Sequence, residues 1–236
     1  FKNTEDALSF RIDPLSGEVL LIENPDYEKQ FLYAFTVIAT DSAGNTSKQG
    51  ISLSINDIEE RTTIKSILSL NQQDEISMFK LKKGLKADGQ KFKTAIAGTK
   101  NKDKIIGSPA GEIIVGFADK DILKGGEGGD GFLFNQAGGF GSKNRDDIKD
   151  FDSNEGDILL FDKDVFDPGV EITLRSYRSK NKVKKAAKSR NDFVYDGKKG
   201  LLYFNENGKD KGWGDGGLFA KLQGAPELGT DDFTIV

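Results

Sequence analysis

The chain has 236 residues, with no cysteine, no histidine, a single Met and a single Trp. Without cysteine there is no disulfide and no thiol nucleophile. Without histidine there is no Ser-His-Asp triad, and almost every zinc site is excluded too. No run approaches the ~18 apolar residues of a membrane span, and no secretory signal peptide opens the chain. Neither sign of charge dominates, since 34 Lys and Arg face 38 Asp and Glu for a net −4. Glycine, at 28 residues, is abundant, and 36% of the chain is hydrophobic. Such a composition suits short strands joined by many turns. Phe1-Lys-Asn-Thr begins in mid-pattern, so the chain reads as the later part of something longer.

Between Ala97 and Phe132 the sequence repeats every nine residues. The four units start at Ala97, Ile106, Val115 and Lys124, and each has glycine second: Gly98, Gly107, Gly116 and Gly125. The seventh residue is acidic (Asp103, Glu112, Asp121, Asp130), and the ninth is large and apolar (Ile105, Ile114, Leu123, Phe132). A flexible Gly/Asp linker has no reason to hold an apolar residue at every ninth place. Gly126-x-Gly128-x-x-Gly131 formally matches a dinucleotide fingerprint. That motif opens a helix, whereas Phe132-Leu-Phe134 reads as strand, and Glu127 and Asp130 would repel a pyrophosphate.

The repeat resembles the nonapeptide of RTX proteins, whose parallel β-helical coils bind Ca²⁺. The resemblance implies glycine-rich turns alternating with short strands, two units per coil. Positions eighteen residues apart then lie one above the other, Asp103 on Asp121 and Glu112 on Asp130. Stacked carboxylates repel, and turn carbonyls aimed into the same gap add to the cost. Ca²⁺ relieves both, because it takes 6–8 oxygen ligands and tolerates irregular geometry. The repeats are worn: only Gly125-Gly126-Glu127-Gly128-Gly129-Asp130 keeps the full glycine set. The other fifth positions hold Asn101, Ala110 and Asp119, and Pro109 and Phe117 occupy turns that favour small residues. Asn and Asp tolerate left-handed backbone better than Ala does. About one to three calcium ions are therefore expected, with Asp119 a further candidate ligand.

In the first sixty residues, Phe10-x-Ile12 and Val19 flank a turn at Ser16-Gly17, as in a hairpin. Phe31 to Ala39 and Ile51-x-Leu53-x-Ile55 are further strands around the turn Asp41-Ser-Ala-Gly-Asn45. These stretches resemble the C-terminal half of a cadherin repeat. The matching residues are Phe10-Arg-Ile-Asp, Asp26-Tyr-Glu28, Ala39-Thr-Asp41 and the closing Ile55-Asn-Asp57. The resemblance implies a β-sandwich in which Asp26, Glu28, Asp41 and Asp57 bind calcium at domain ends. The closing motif lacks the family's leading Asp and final Asn, and no second such repeat follows.

Beyond the repeats, Asp147-Ile148 and Gly156-Asp157-Ile158 place acidic turns before apolar residues, so Asp147 and Asp157 are candidate ligands. An EF-hand starting at Asp150 fails, because its sixth residue is Glu155 and its twelfth is Phe161. Short apolar strands and turns then run to Asp231-Asp-Phe-Thr-Ile-Val236. This tail resembles the C-terminal cap of bacterial RTX proteins, including serralysin-type proteases, which carries a type I secretion signal. Their His-Glu-x-x-His motif is absent. From Ile172 to Asn191 the charges are all basic: Arg175, Arg178, Lys180, Lys182, Lys184, Lys185, Lys188 and Arg190. With one interleaved aromatic, Tyr177, this reads as a solvated hairpin arm or short helix and not as a nucleic-acid surface.

The fold expected is all-β: a partial cadherin-like sandwich (1–60), a connector (61–96), a calcium-binding parallel β-roll (97–160) and a β-rich cap (161–236). The function expected is that of a secreted or cell-surface calcium-binding module that folds on Ca²⁺ after type I export. A calcium-dependent adhesin segment is the alternative, and no enzyme activity is expected. Partners implied are the type I secretion machinery and a surface polysaccharide or second copy of the protein, with no nucleic acid and no membrane span.

Overall fold

Strand-forming runs alternate with glycine-rich turns along the chain, and the protein is accordingly all-β, with little helix. The computed structural model describes residues 5–14, 16–22, 30–54, 63–87, 89–136, 139–168 and 171–236. They belong to two units, Phe1–Glu59 and Glu60–Val236.

The described residues of the first unit form two antiparallel pairs. Strand β1 (Phe10–Ile12) pairs with β2 (Val19–Leu21), and β3 (Leu32–Thr40) pairs with β4 (Thr46–Ser54). Gly17 closes the first hairpin at φ +76°, a left-handed conformation that costs glycine little. The pairs share a small core of Ala7, Phe10, Tyr33 and Phe35. The Phe10 ring lies 4.3 Å from Phe35 and 5.5 Å from Tyr33 between centroids.

In the second unit, helix α1 (Ile64–Leu68) is followed by β5 (Ser77–Ala87) and β6 (Gln90–Ala97). Short strands then succeed one another: β7 (Lys104–Ile106), β8 (Glu112–Val115), β9 (Ile122–Lys124), β10 (Gly131–Phe134), β11 (Asp146–Ile148) and β12 (Ile158–Phe161). The remainder comprises β13 (Leu174–Tyr177), helix α2 (Lys180–Ala186), β14 (Phe193–Asp196), β15 (Leu201–Phe204), β16 (Gly217–Leu222) and β17 (Phe233–Ile235). Successive strands from β6 to β12 alternate between two sheets, ordered β17-β12-β10-β8-β6-β5 and β13-β14-β15-β16-β11-β9-β7.

Register follows the repeat. Lys104 faces Ile122, Thr94 faces Glu112 and Ile113 faces Gly131, each pair parallel and eighteen residues apart. Further on the offset widens: Ile122 faces Asp147 and Gly131 faces Ile158. The winding then resumes far along the chain. Asp146 faces Ala220 and Leu159 faces Phe233, both at a separation of 74 residues. The elements β13, α2, β14 and β15, which fall between β12 and β16, are thus an insertion within one wound body.

The ninth residues of the repeats, Ile105, Ile114, Leu123 and Phe132, are at most 2% exposed. They lie in one cluster with Ile148, Phe161, Phe193, Phe219 and Phe233. Burying such a side chain stabilises by about 1.5–3 kcal/mol. The other face of the β6-β8-β10-β12 sheet is buried as well: Ile113, Val115, Leu133 and Leu160 pack with Ile67, Phe79 and Phe92. Residues 61–96, expected as a connector, therefore include a packed layer of this unit, for a sheet buried on both faces needs a cover. The basic stretch is part strand and part helix, with Val183 and Ala186 of α2 buried against Val194.

Candidate metal centre

The parallel register brings the acidic seventh residues, followed by Asp146 and Asp157, into two ladders. In one, the Asp103 amide donates to Asp121 Oδ1 at 2.7 Å, and the Asp121 amide to Asp146 Oδ1 at 3.0 Å. In the other, the Glu112 amide donates to Asp130 Oδ1 and the Asp130 amide to Asp157 Oδ1, both at 2.8 Å. Asp121, Asp130, Asp146 and Asp157 so hang their carboxylates on the backbone of the preceding coil. Asp121 and Asp130 are fully buried, and Glu112, Asp146 and Asp157 nearly so. Among the described residues no Lys or Arg forms an ion pair with any of these six side chains.

The second oxygens divide the repeats into two kinds. Around Asp103, the Thr99 amide donates to Oδ2 at 2.6 Å and the Thr99 hydroxyl to Oδ1 at 3.2 Å. The Thr99 hydroxyl accepts the Asn101 amide at 3.0 Å. Nine residues on, Ser108 repeats the arrangement: its amide donates to Glu112 Oε2 at 3.0 Å, its hydroxyl donates to Glu112 Oε1, and it accepts the Ala110 amide at 3.1 Å. In the third and fourth repeats the equivalent residues are Phe117 and Gly126, at φ +76° and +111°. Asp119 and Gly128 follow at +63° and +87°. This left-handed path turns the third-position amide away; that of Gly126 donates instead to Asp150 Oδ2 at 3.1 Å. Asp121 Oδ2 and Asp130 Oδ2 are left buried without any hydrogen-bond partner.

Those two oxygens press against the second-position glycines. A Cβ on Gly116 would lie 2.2 Å from Asp121 Oδ2, and one on Gly125 would lie 2.2 Å from Asp130 Oδ2. Glycine is needed there for space, since neither residue has positive φ.

Electrostatics mark the same carboxyls. Burial, reinforced by the charges of Asp103 and Asp119, pushes Asp121 up to about 7. Burial, with Asp157, Glu112 and Asp150 nearby, pushes Asp130 up to about 7. Asp157 rises to about 6, chiefly by burial. Asp146 is held well above the ordinary carboxylate range by burial and by Asp121. A buried carboxylate with an unpaired oxygen costs at least 1–3 kcal/mol, so these sites need a proton or a cation. Among the described residues no three carboxylates converge. A cation here would meet a carboxylate oxygen, the hard donor that Ca²⁺ favours.

The expected site residues are distributed unevenly. Asp103, Glu112, Asp121, Asp130 and Asp157 stand in the ladders. Asp119 is exposed and shapes the turn with its left-handed backbone. Asp147 stands beside the ladder: its carboxylate pairs with Lys120 at 2.8 Å and Arg145 at 3.2 Å. Burial alone would raise it, but those cations hold it below the usual range. The ladder position belongs to Asp146, not to the expected Asp147; adjacent strand residues point to opposite faces. Asp150, also unforeseen, accepts the Gly125 and Gly126 amides at 3.0 and 3.1 Å. In the first unit Asp41 closes its own turn, accepting from the Ala43 and Asn45 amides and the Asn45 side chain at 2.8–2.9 Å. The Asn45 hydrogen bonds hold its carboxyl below the usual range. Asp26, Glu28 and Asp57 lie outside the described residues.

No protein-family model matches the chain, and no curated protein matches it.

Proposed function

We propose that the second unit is a calcium-binding β-roll of the RTX kind, and that calcium binding and folding are one event in a protein that works outside the cell. The observation that carries the proposal is the pair of buried, unpartnered oxygens, Asp121 Oδ2 and Asp130 Oδ2, in successive turns. The parallel register of eighteen residues and the inward ninth residues support the roll.

Bound calcium supplies positive charge and oxygen-binding capacity where like charges otherwise meet. The chain does the rest: it stacks the carboxylates, fixes them on buried amides and excludes water. At about 100 times its dissociation constant, a ligand stabilises the native state by ~2.7 kcal/mol per site. Two such sites supply a gain comparable with the low end of ordinary domain stability, about 5–15 kcal/mol. Where calcium is scarce the roll is destabilised, a state compatible with passage through a type I secretion channel. Where calcium is plentiful it closes.

The first unit fits the same reading as part of a cadherin-like sandwich, supported by its two antiparallel hairpins over one aromatic core.

Far-UV circular dichroism of the whole chain during calcium titration tests the proposal, with magnesium as control. A gain of β-structure with calcium alone, moved to at least tenfold higher calcium by Asp121→Ala or Asp130→Ala, is expected. A chain equally folded and equally stable in chelator and in calcium would overturn it.

A further inference from the structure

Two of the four acidic turns satisfy both oxygens of their carboxylate from within. In the first two repeats the third residue is Thr99 or Ser108, and both oxygens of the following carboxylate receive donors from that one residue. The same hydroxyl accepts the amide two residues on, so it satisfies the turn as well as the acid. The third and fourth repeats carry Phe117 and Gly126 at that place. Neither has a hydroxyl, both take the left-handed path, and there a carboxylate oxygen is orphaned.

These facts are congruent position by position, at a spacing of nine residues. The third residue decides the turn. Where a hydroxyl stands there, the turn avoids the left-handed region and the third-position amide reaches the acid's second oxygen; where none does, the turn is left-handed and that oxygen has no partner. The latched turns belong to Asp103 and Glu112, which begin the two ladders and accept no amide from an earlier coil of the ladder. Their hydroxyls supply what a preceding coil's amide gives Asp121 and Asp130.

We infer that the Thr99 and Ser108 amides, held toward the acid by the right-handed turn that their hydroxyls brace, take the place of a cation in the first two repeats, so that the array holds two calcium ions, one at Asp121 and one at Asp130. The inference rests on the calcium reading above and narrows it. The first coil closes by hydrogen bonds alone, and the second is where calcium acts.

The test is a count of bound calcium on the whole chain by equilibrium dialysis, checked by native mass spectrometry. The parent chain binds two ions. Asp103→Asn and Glu112→Gln keep both, while Asp121→Asn and Asp130→Asn each lose one. Three or more ions in the parent chain, or loss of an ion in Asp103→Asn or Glu112→Gln, would overturn the latch and leave the calcium reading standing. No bound calcium in the parent chain would remove both. Circular dichroism confirms that each variant is folded at saturating calcium; if one is not, the parent count decides alone.

Discussion

Asp121 accepts the amide of Asp103 at 2.7 Å, across a gap of eighteen residues in sequence, and thereby joins two coils of the wound unit. Its other oxygen is buried and unpartnered. One carboxylate is thus a structural acceptor on one side and an unmet charge on the other. Several measurable properties depend on that asymmetry.

The first concerns pH. Asp121 and Asp130 sit near 7 and Asp157 near 6 in the folded chain, against an ordinary value of 3.8. Between those values the folded state holds more protons than the unfolded one, so stability falls as pH rises. In chelator the melting temperature should drop by several degrees from about pH 5 to about pH 8. Saturating calcium should flatten or reverse that slope, because the ion replaces the protons. Thermal melts across pH, with and without calcium, measure it.

The second concerns space. Ala at Gly116 or Gly125 would set a Cβ against the unpartnered carboxylate oxygen, 2.2 Å away. A loss of about 1–3 kcal/mol is expected from overpacking, together with a higher calcium midpoint. Gly50→Ala, which meets nothing within 4 Å, should stay within about 0.5 kcal/mol of the parent. Denaturant unfolding in calcium compares the three.

Adjacent acids should behave differently. Asp146→Ala strips the Asp121 amide of its buried acceptor and should cost about 1–3 kcal/mol. Asp147→Ala removes a partly exposed pairing with Lys120 and Arg145 and should cost less than about 1 kcal/mol. Equal losses from the two would contradict the ladder assignment.

The core offers a fourth measurement. Phe161 touches the rings of Phe134, Phe166, Phe193, Phe219 and Phe233, with centroids 4.7–5.8 Å apart. It joins the wound strands to the inserted segment and to the final strand. Phe161→Ala should cost about 3–5 kcal/mol, with loss of a single cooperative transition in calorimetry.

Much of this was legible beforehand because it depends on short separations. Glycine second and an apolar residue ninth mark turn and strand wherever they recur, and the apolar ninth residues are indeed buried. The two hairpins of the first unit were equally plain, since alternation and turn residues act locally. The limit of that reading shows between Phe134 and Asp146, where the register offset changes from eighteen to 25 residues. Pattern alone then selected Asp147. The strand's alternation selects Asp146 and sends Asp147 to a pair of cations.

The sequence by itself determined the period, the buried side chains and the supply of carboxylates, because each follows from local propensity and from spacing along one chain. Only the tertiary structure decided which carboxylates remain unsatisfied. That depends on whether a turn's amide points toward its acid, as at Thr99 and Ser108, or away from it, as at Gly126. It also decided that β16 and β17, at an offset of 74 residues, complete the sheets. Such partners are chosen by packing between distant segments, and no local pattern records them.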